Sequence, residues 1–325
     1  MSVKTVERKI RDGQLLLCFP THADTGSSGS LAEGRYYHNS ALRQGGWPKP
    51  EVIAPGISPK SLNDLIFHGG KLVPHMEFQN VFLGGQASWL ASDIDFINTS
   101  ITLAMQDAKL NNVIKQYFVD VASLTCDPRP SVVLEEPKPA ELDEPDVQQT
   151  VVRLLKEGKL SDSDLGSVVF NLVLPPGTVL RLGDVNSLDG LGGYHGSVHF
   201  QNNGRSLTAY YSANVVSQTL RNGQQSGIPA FDASWKDVVG TLYHELNEFR
   251  TDADVRDAIE SGSNNFLDWM SAQGQEIGDQ PIAEANPLSL VFKEVLASRG
   301  GRRLPVQLLY SNAVHGAEGP IDEPH

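Results

Sequence analysis

The chain has 325 residues and a mass of 35.3 kDa, with 40% hydrophobic, 20% charged and 7% aromatic residues. Those proportions exclude collagen-like, coiled-coil and wholly disordered chains, and allow one large domain or two moderate ones. Lys and Arg number 26 against 39 Asp and Glu, so the net charge is −13 and the pI is near 5.1. Such a surface repels phosphate backbones and anionic headgroups, which argues against nucleic acid and membrane as partners.

Cys18 and Cys126 allow one disulfide at most, so this is not a disulfide-stapled scaffold. No stretch approaches the roughly 18 consecutive apolar residues of a membrane span. The segment from Met1 to Arg11 is charged, and the apolar run Leu15 to Phe19 is shorter than the about 7–15 residues of a signal-peptide core. The expectation from the sequence is therefore cytoplasmic by default.

Residues 1–60 read as an extended or partly disordered arm, since 20–60 are rich in Gly, Ser, Pro and Asn. Residues 61–315 read as a single α+β domain with a mixed sheet flanked by helices, and 316–325 as a flexible acidic tail. Phe78 to Leu83, ending on Gly84-Gly85, predicts a buried strand and its turn. Ser92 and Asp93 then cap a long helix with Ile94, Ile97, Ile101, Met105, Leu110, Ile114 and Phe118 at helical spacing. The acidic, Pro-rich stretch 126–145 predicts a solvated connector. A short helix follows from Asp146 and closes at Gly158.

Ser167 to Leu174 predicts a strand. Tyr194–Phe200 and Leu207–Val216 predict a hairpin around the turn signal Asn202-Asn203-Gly204. The spacing then predicts a helix over Asp232–Arg250, a second helix over Leu288–Ser298 and a last strand over Leu304–Tyr310.

The stretch that points to chemistry is Tyr243-His244-Glu245-Leu246-Asn247-Glu248. His244 and Glu248, four apart on a helix, project from one face one turn apart and can fill two of four positions around a zinc ion. Glu245 falls where the His-Glu-x-x-His metalloprotease pattern has its general base, although Glu248 stands in place of the second histidine. The plain alternative is a solvated helix face, with Arg250 pairing a neighbouring glutamate.

Further metal ligands are expected from Glu276 or Asp279, which flank Gly278 in Gln275-Glu276-Ile277-Gly278-Asp279. Asp252, in Thr251-Asp252-Ala253-Asp254, is a further candidate, or else caps the next helix together with Asp254. His195 and His199 lie four apart on a strand and so share a face; they are additional candidate ligands, or hydrogen-bonded structural histidines. There is no Gly-x-Ser-x-Gly elbow, no Walker loop and no dinucleotide fingerprint.

Taken in order, a set of fragments resembles bacterial relatives of the exordium (phosphate-induced protein) family. They are Phe67-His68-Gly69-Gly70, Val81 to Gly84 with Trp89, Gly193-Tyr194-His195 and Ala209-Tyr210-Tyr211. They continue through His244 to Glu248 with Thr251-Asp252, Asp268-Trp269 before Gln275 to Asp279, and Val306-Gln307 before Ser311-Asn312, covering roughly residues 65–313.

The resemblance implies relatives that are secreted, and plant members tied to growth and brassinosteroid response without established enzymatic activity. Plant members replace the His-Glu-x-x-Glu element, which implies that the fold does not need a metal there. The cysteines of bacterial relatives near Gly193-Tyr194-His195 and after Asp279 are absent. Two readings follow. One is a zinc-dependent metallohydrolase, most readily a peptidase, with peptide or protein as substrate, metal on His244, Glu248 and a downstream carboxylate, and Glu245 as base. The other is a non-catalytic exordium-like binding or signalling protein, with a glycan as partner and a structural metal or none.

Overall fold

The computed structural model describes residue 54 and residues 56–325, together with the backbone of the short strands Glu7–Lys9, Leu15–Leu17 and Thr21–His22. Most of the expected N-terminal arm, with Cys18, lies outside the described residues. The part of it that is described does not stand apart: Ala54 and Ile57 are buried against Val291, Leu308 and Ala317.

The chain is a single-domain α+β fold. In chain order, β1 is Leu65–Phe67 and β2 is His75–Phe82; helices α1, Ala91–Met105, and α2, Ala108–Ile114, follow. Next come β3, Thr125–Pro128, β4, Val132–Val133, helix α3, Glu144–Lys156, and β5, Val168–Val173. The hairpin is β6, Leu191–Asn202, and β7, Arg205–Asn214. Helices α4, Ser234–Thr251, and α5, Val255–Ser261, precede β8, Trp269–Ser271, and helix α6, Asp279–Glu284. The chain closes with β9, Phe292–Leu296, β10, Arg303–Gln307, β11, Leu309–Ser311, and β12, Gly316–Glu318.

The main sheet is mixed, in the order Thr21–His22, β6, β7, β5, β2, β3, with β4 also paired to β2. Strands β7, β5, β2 and β3 run parallel, and β6 runs antiparallel to β7. The β6–β7 turn holds Asn203 and Gly204 at φ of 49° and 76°, the two positive values that a tight two-residue hairpin requires.

Both faces of the sheet are covered, which is why β5 is buried along its whole length and apolar at every position but Asn171. On one face Val169 and Val173 pack with Ile97 and Ile101 of α1 and with Leu242, Leu246 and Phe249 of α4. On the other, Phe170 and Leu172 pack with Val147, Val151 and Leu154 of α3. Among the described residues, no helix is long and apolar enough to cross a membrane.

The structure departs from the sequence expectation at several places. The long helix predicted from Ser92 to Phe118 is two helices, because Asp107 accepts hydrogen bonds from the amides of Lys109 and Leu110 and starts α2 afresh. The stretch 126–145 is not simply a solvated connector: β3 and β4 add to the sheet there, and Cys126 and Leu134 are buried. The helix expected over Leu288–Ser298 is a 3₁₀ turn at Leu288–Leu290 followed by β9, which pairs with β10. The last expected strand divides into β10 and β11, and residues 316–318 of the expected tail form β12 against β11.

Candidate metal centre

Helix α4 is apolar where it meets the sheet, yet it also carries His244, Glu245, Glu248 and Arg250, and every residue from Asp237 to Thr251 is buried. A solvated helix face is therefore the wrong reading of its charges. A charge inside a protein must be paired, hydrogen-bonded or bound to an ion. Arg250 does not pair with the glutamates; its guanidinium donates to Asn111 Oδ1 at 2.9 Å and to the Thr125 carbonyl at 3.2 Å.

Three other elements close over the carboxylate side of α4. Strand β6 brings His195, the segment before α6 brings Glu276 and Gly278, α6 itself begins at Asp279, and β10 brings Gln307. Two groups of donor atoms result, each lying within 4.8 Å: His244, Glu248 and Asp279, and His195, Glu245 and Glu248. Glu248 belongs to both. Its Oε1 lies 2.9 Å from His244 Nε2, and its Oε2 lies 3.6 Å from His195 Nδ1.

The outer nitrogen of each ring is tied to the protein. Gln307 Nε2 donates to the Gly278 carbonyl at 2.6 Å, which turns Gln307 Oε1 toward His244 Nδ1 at 2.8 Å. An amide oxygen only accepts, so Nδ1 carries a proton, and Nε2 is the nitrogen that faces Glu248 and Asp279, with a second proton when the ring is cationic and a lone pair when it is neutral. His195 repeats the arrangement: its Nε2 faces the Asp252 carbonyl at 3.3 Å and must donate, while Nδ1 faces Glu245 Oε2 at 3.3 Å. Lone pairs of nitrogen and carboxylate oxygen facing one another repel unless a cation, a proton or a metal, lies between them. Metal-ligating histidines are held in this manner, with the outer N–H on an oxygen.

The electrostatics carry the same message. Burial favours neutral rings, but the Glu248 carboxylate outweighs it at His244 and holds that ring at about 10. Burial is likewise outweighed at His195, chiefly by Glu276, and the ring is held well above its ordinary value. Burial raises Glu248, but His244 foremost, with His195, pulls it down to about 2. Glu276 and Asp279 are pushed well up by burial and by the charge on Glu248. Glu276 Oε1 and Asp279 Oδ2 are buried with no hydrogen-bond partner among the described residues, while His244 Nε2 has the Glu248 carboxylate as its ion-pair partner at 2.9 Å. Burying such atoms unpaired is costly. The donors, imidazole nitrogen and carboxylate oxygen without thiolate, suit a divalent ion such as zinc, iron or manganese.

Of the residues singled out in the sequence, His244, Glu248 and Asp279 come together, and His195 and Glu245 join them through Glu248. Glu276 is not in the His244 group; its Oε1 lies 3.7 Å from His195 Nε2. His199 does not join, because the outer part of β6 turns to solvent, and there His199 contacts Thr208 and Asp257 at 2.8 and 2.7 Å. Asp252 offers the site its backbone carbonyl, while its Oδ1 accepts from the Asp268 amide at 2.9 Å. The Asp252 side chain caps no helix; Asp254 is the residue before α5 and makes no side-chain cap.

Gln307 was absent from the expected site, and its only signal was the Val306-Gln307 fragment of the family resemblance. Gly278 has a different purpose from the sharp turn expected of it. Its φ of −89° suits any residue, but a Cβ there would meet His244 Nδ1 at 2.4 Å. Cys126 is free and buried, its thiol pushed up to about 12 by burial, and is not among the donors.

No protein-family model matches the sequence, that of the exordium family included, and no curated protein does. One solved structure resembles the chain: metalloproteinase-II from Bacteroides fragilis, at a TM-score of 0.30 and 13% identity over 75% of this chain. The match spans 65% of that protein, and at this level it carries no argument about activity.

Proposed function

We propose that the chain is a divalent-metal-dependent hydrolase with zinc as the metal and peptide as the substrate class. The observation that supports it is the pair of buried rings, His195 and His244, with outer nitrogens tied off and inner nitrogens turned onto carboxylates. His244 Nε2, Glu248 and Asp279 would hold an ion with three protein ligands, the number found in catalytic zinc sites. When bound, a divalent ion supplies Lewis-acid polarisation and lowers the pKa of water toward neutrality.

The protein's own groups do the remaining work. Gln307 fixes the tautomer and aim of His244, and the Asp279 amide donates to Glu248 Oε1 at 3.2 Å, which orients that carboxylate. The enclosed setting strengthens every charge interaction within it. Glu245 has two roles open to it: proton acceptor, by analogy with the His-Glu-x-x-His pattern, or ligand, by its place in the group with His195 and Glu248.

A second reading is favoured by one observation. His244, Glu245 and Glu248 are no more than 2% exposed. A peptide must reach these atoms to be cut, whereas a metal that only braces an exordium-like binding protein needs no such access. Measuring cleavage of a peptide library by metal-loaded protein and by His244→Ala separates the two. The hydrolase reading expects metal-dependent turnover that His244→Ala abolishes. Stoichiometric metal without turnover of any substrate would leave the structural reading.

A further inference from the structure

We infer that the centre holds two divalent cations, one at His244, Glu248 and Asp279 and one at His195, Glu245 and Glu248, with the Glu248 carboxylate bridging them. The inference rests on the metal-dependent reading above and deepens it.

Three observations carry it. The two donor groups are separate apart from Glu248, and each contains one imidazole and two carboxylates. The oxygens of Glu248 are divided between them, Oε1 toward His244 Nε2 and Oε2 toward His195 Nδ1, which is the disposition of a carboxylate shared by two ions rather than chelating one. Each imidazole has its own outer-nitrogen anchor, Gln307 for His244 and the Asp252 carbonyl for His195, so both rings are prepared as ligands.

Charge points the same way. Glu248, Glu276 and Asp279 are buried, and among the described residues none pairs with a lysine or arginine. Two-metal hydrolytic sites hold their ions about 3.5–4 Å apart and clamp the attacking and leaving oxygens of a displacement. A bridging Glu248 fits that class of reaction, in which Glu245 is a ligand rather than a free base.

The test uses the full chain without a histidine tag, stripped with chelator, reloaded with Mn(II) and examined by metal analysis and electron paramagnetic resonance. The expected result is two equivalents per chain with the signature of exchange-coupled Mn(II). Glu245→Gln and His195→Ala should each reduce the content to one equivalent and abolish the coupling, and Glu248→Gln should abolish the coupling. One uncoupled equivalent in the unaltered protein would overturn the bridged pair and leave the single-metal reading standing. Two uncoupled equivalents, or retention of both ions by a folded Glu245→Gln protein, would also overturn it. No bound metal would remove the metal-dependent reading itself.

Discussion

A methyl group added at Gly278 would overlap the ring of His244, with Nδ1, Cε1 and Cγ at 2.4, 2.6 and 2.8 Å. That ring cannot retreat, because it is fully buried and Gln307 holds its Nδ1. Gly278→Ala is therefore expected to destabilise the protein by about 1–3 kcal/mol, as overpacking does, and to weaken metal binding. Thermal melts and chelator competition check this, and unchanged values in both would show that the ring is not clamped. At this scale the sequence was partly legible. His244 and Glu248 could be read from their i, i+4 spacing alone, since a helix makes those positions neighbours. Gln307, 63 residues from His244, could not, because only the tertiary fold brings β10 beside α4.

Helix α4 shows why an element can be foreseen in place but not in setting. Trp235, Val238, Val239, Leu242, Leu246 and Phe249 mark it as a helix, and the observed Ser234–Thr251 differs little from the expected Asp232–Arg250. Periodicity does not reveal that its polar face is also covered, since a glutamate reads alike on a surface and in a metal site. At Leu288–Ser298, Leu288, Val291 and Val295 keep a helical spacing, yet pairing of Phe292–Leu296 with β10 prevails. The α1–α2 break is a local matter. Asp107 caps α2 through Oδ1, and its Oδ2 accepts from the Ser298 amide at 2.6 Å, tying the break to the segment after β9. Asp107→Ala should cost about 0.5–2 kcal/mol, the range for a lost N-cap, with metal content unchanged. Denaturant unfolding measures the first and metal analysis the second; loss of metal would mean that the break supports the centre directly.

At the scale of the whole molecule, an α+β fold with a mixed sheet was legible from the order of apolar runs and turn signals, while the convergence of β6, α4, α6 and β10 was not. That convergence makes stability depend on pH. In the metal-free protein His244 is held at about 10 against an ordinary 6.5. A histidine raised in the fold contributes stability that is present below pH 6.5 and lost as pH rises toward 10. Glu276 and Asp279, also raised, lose their contribution in the same direction, as pH climbs through their folded values. Glu248 behaves oppositely, and its contribution is lost only as pH falls toward about 2. Metal binding requires deprotonated ligands, so its stabilisation grows with pH. The melting temperature of metal-loaded protein minus that of metal-free protein should thus widen as pH rises from 6.5. Calorimetry in metal and in chelator measures it, and a constant difference would show that these groups do not exchange protons for metal.

The most direct test of a metal centre is to locate the ion. Crystals grown with zinc and measured on both sides of its absorption edge should give an anomalous peak among His244 Nε2, Glu248 Oε1 and Asp279. The coordination distances should be about 2.0–2.2 Å. A protein that leaves this position without a peak, while zinc is found elsewhere on its surface, would contradict the account.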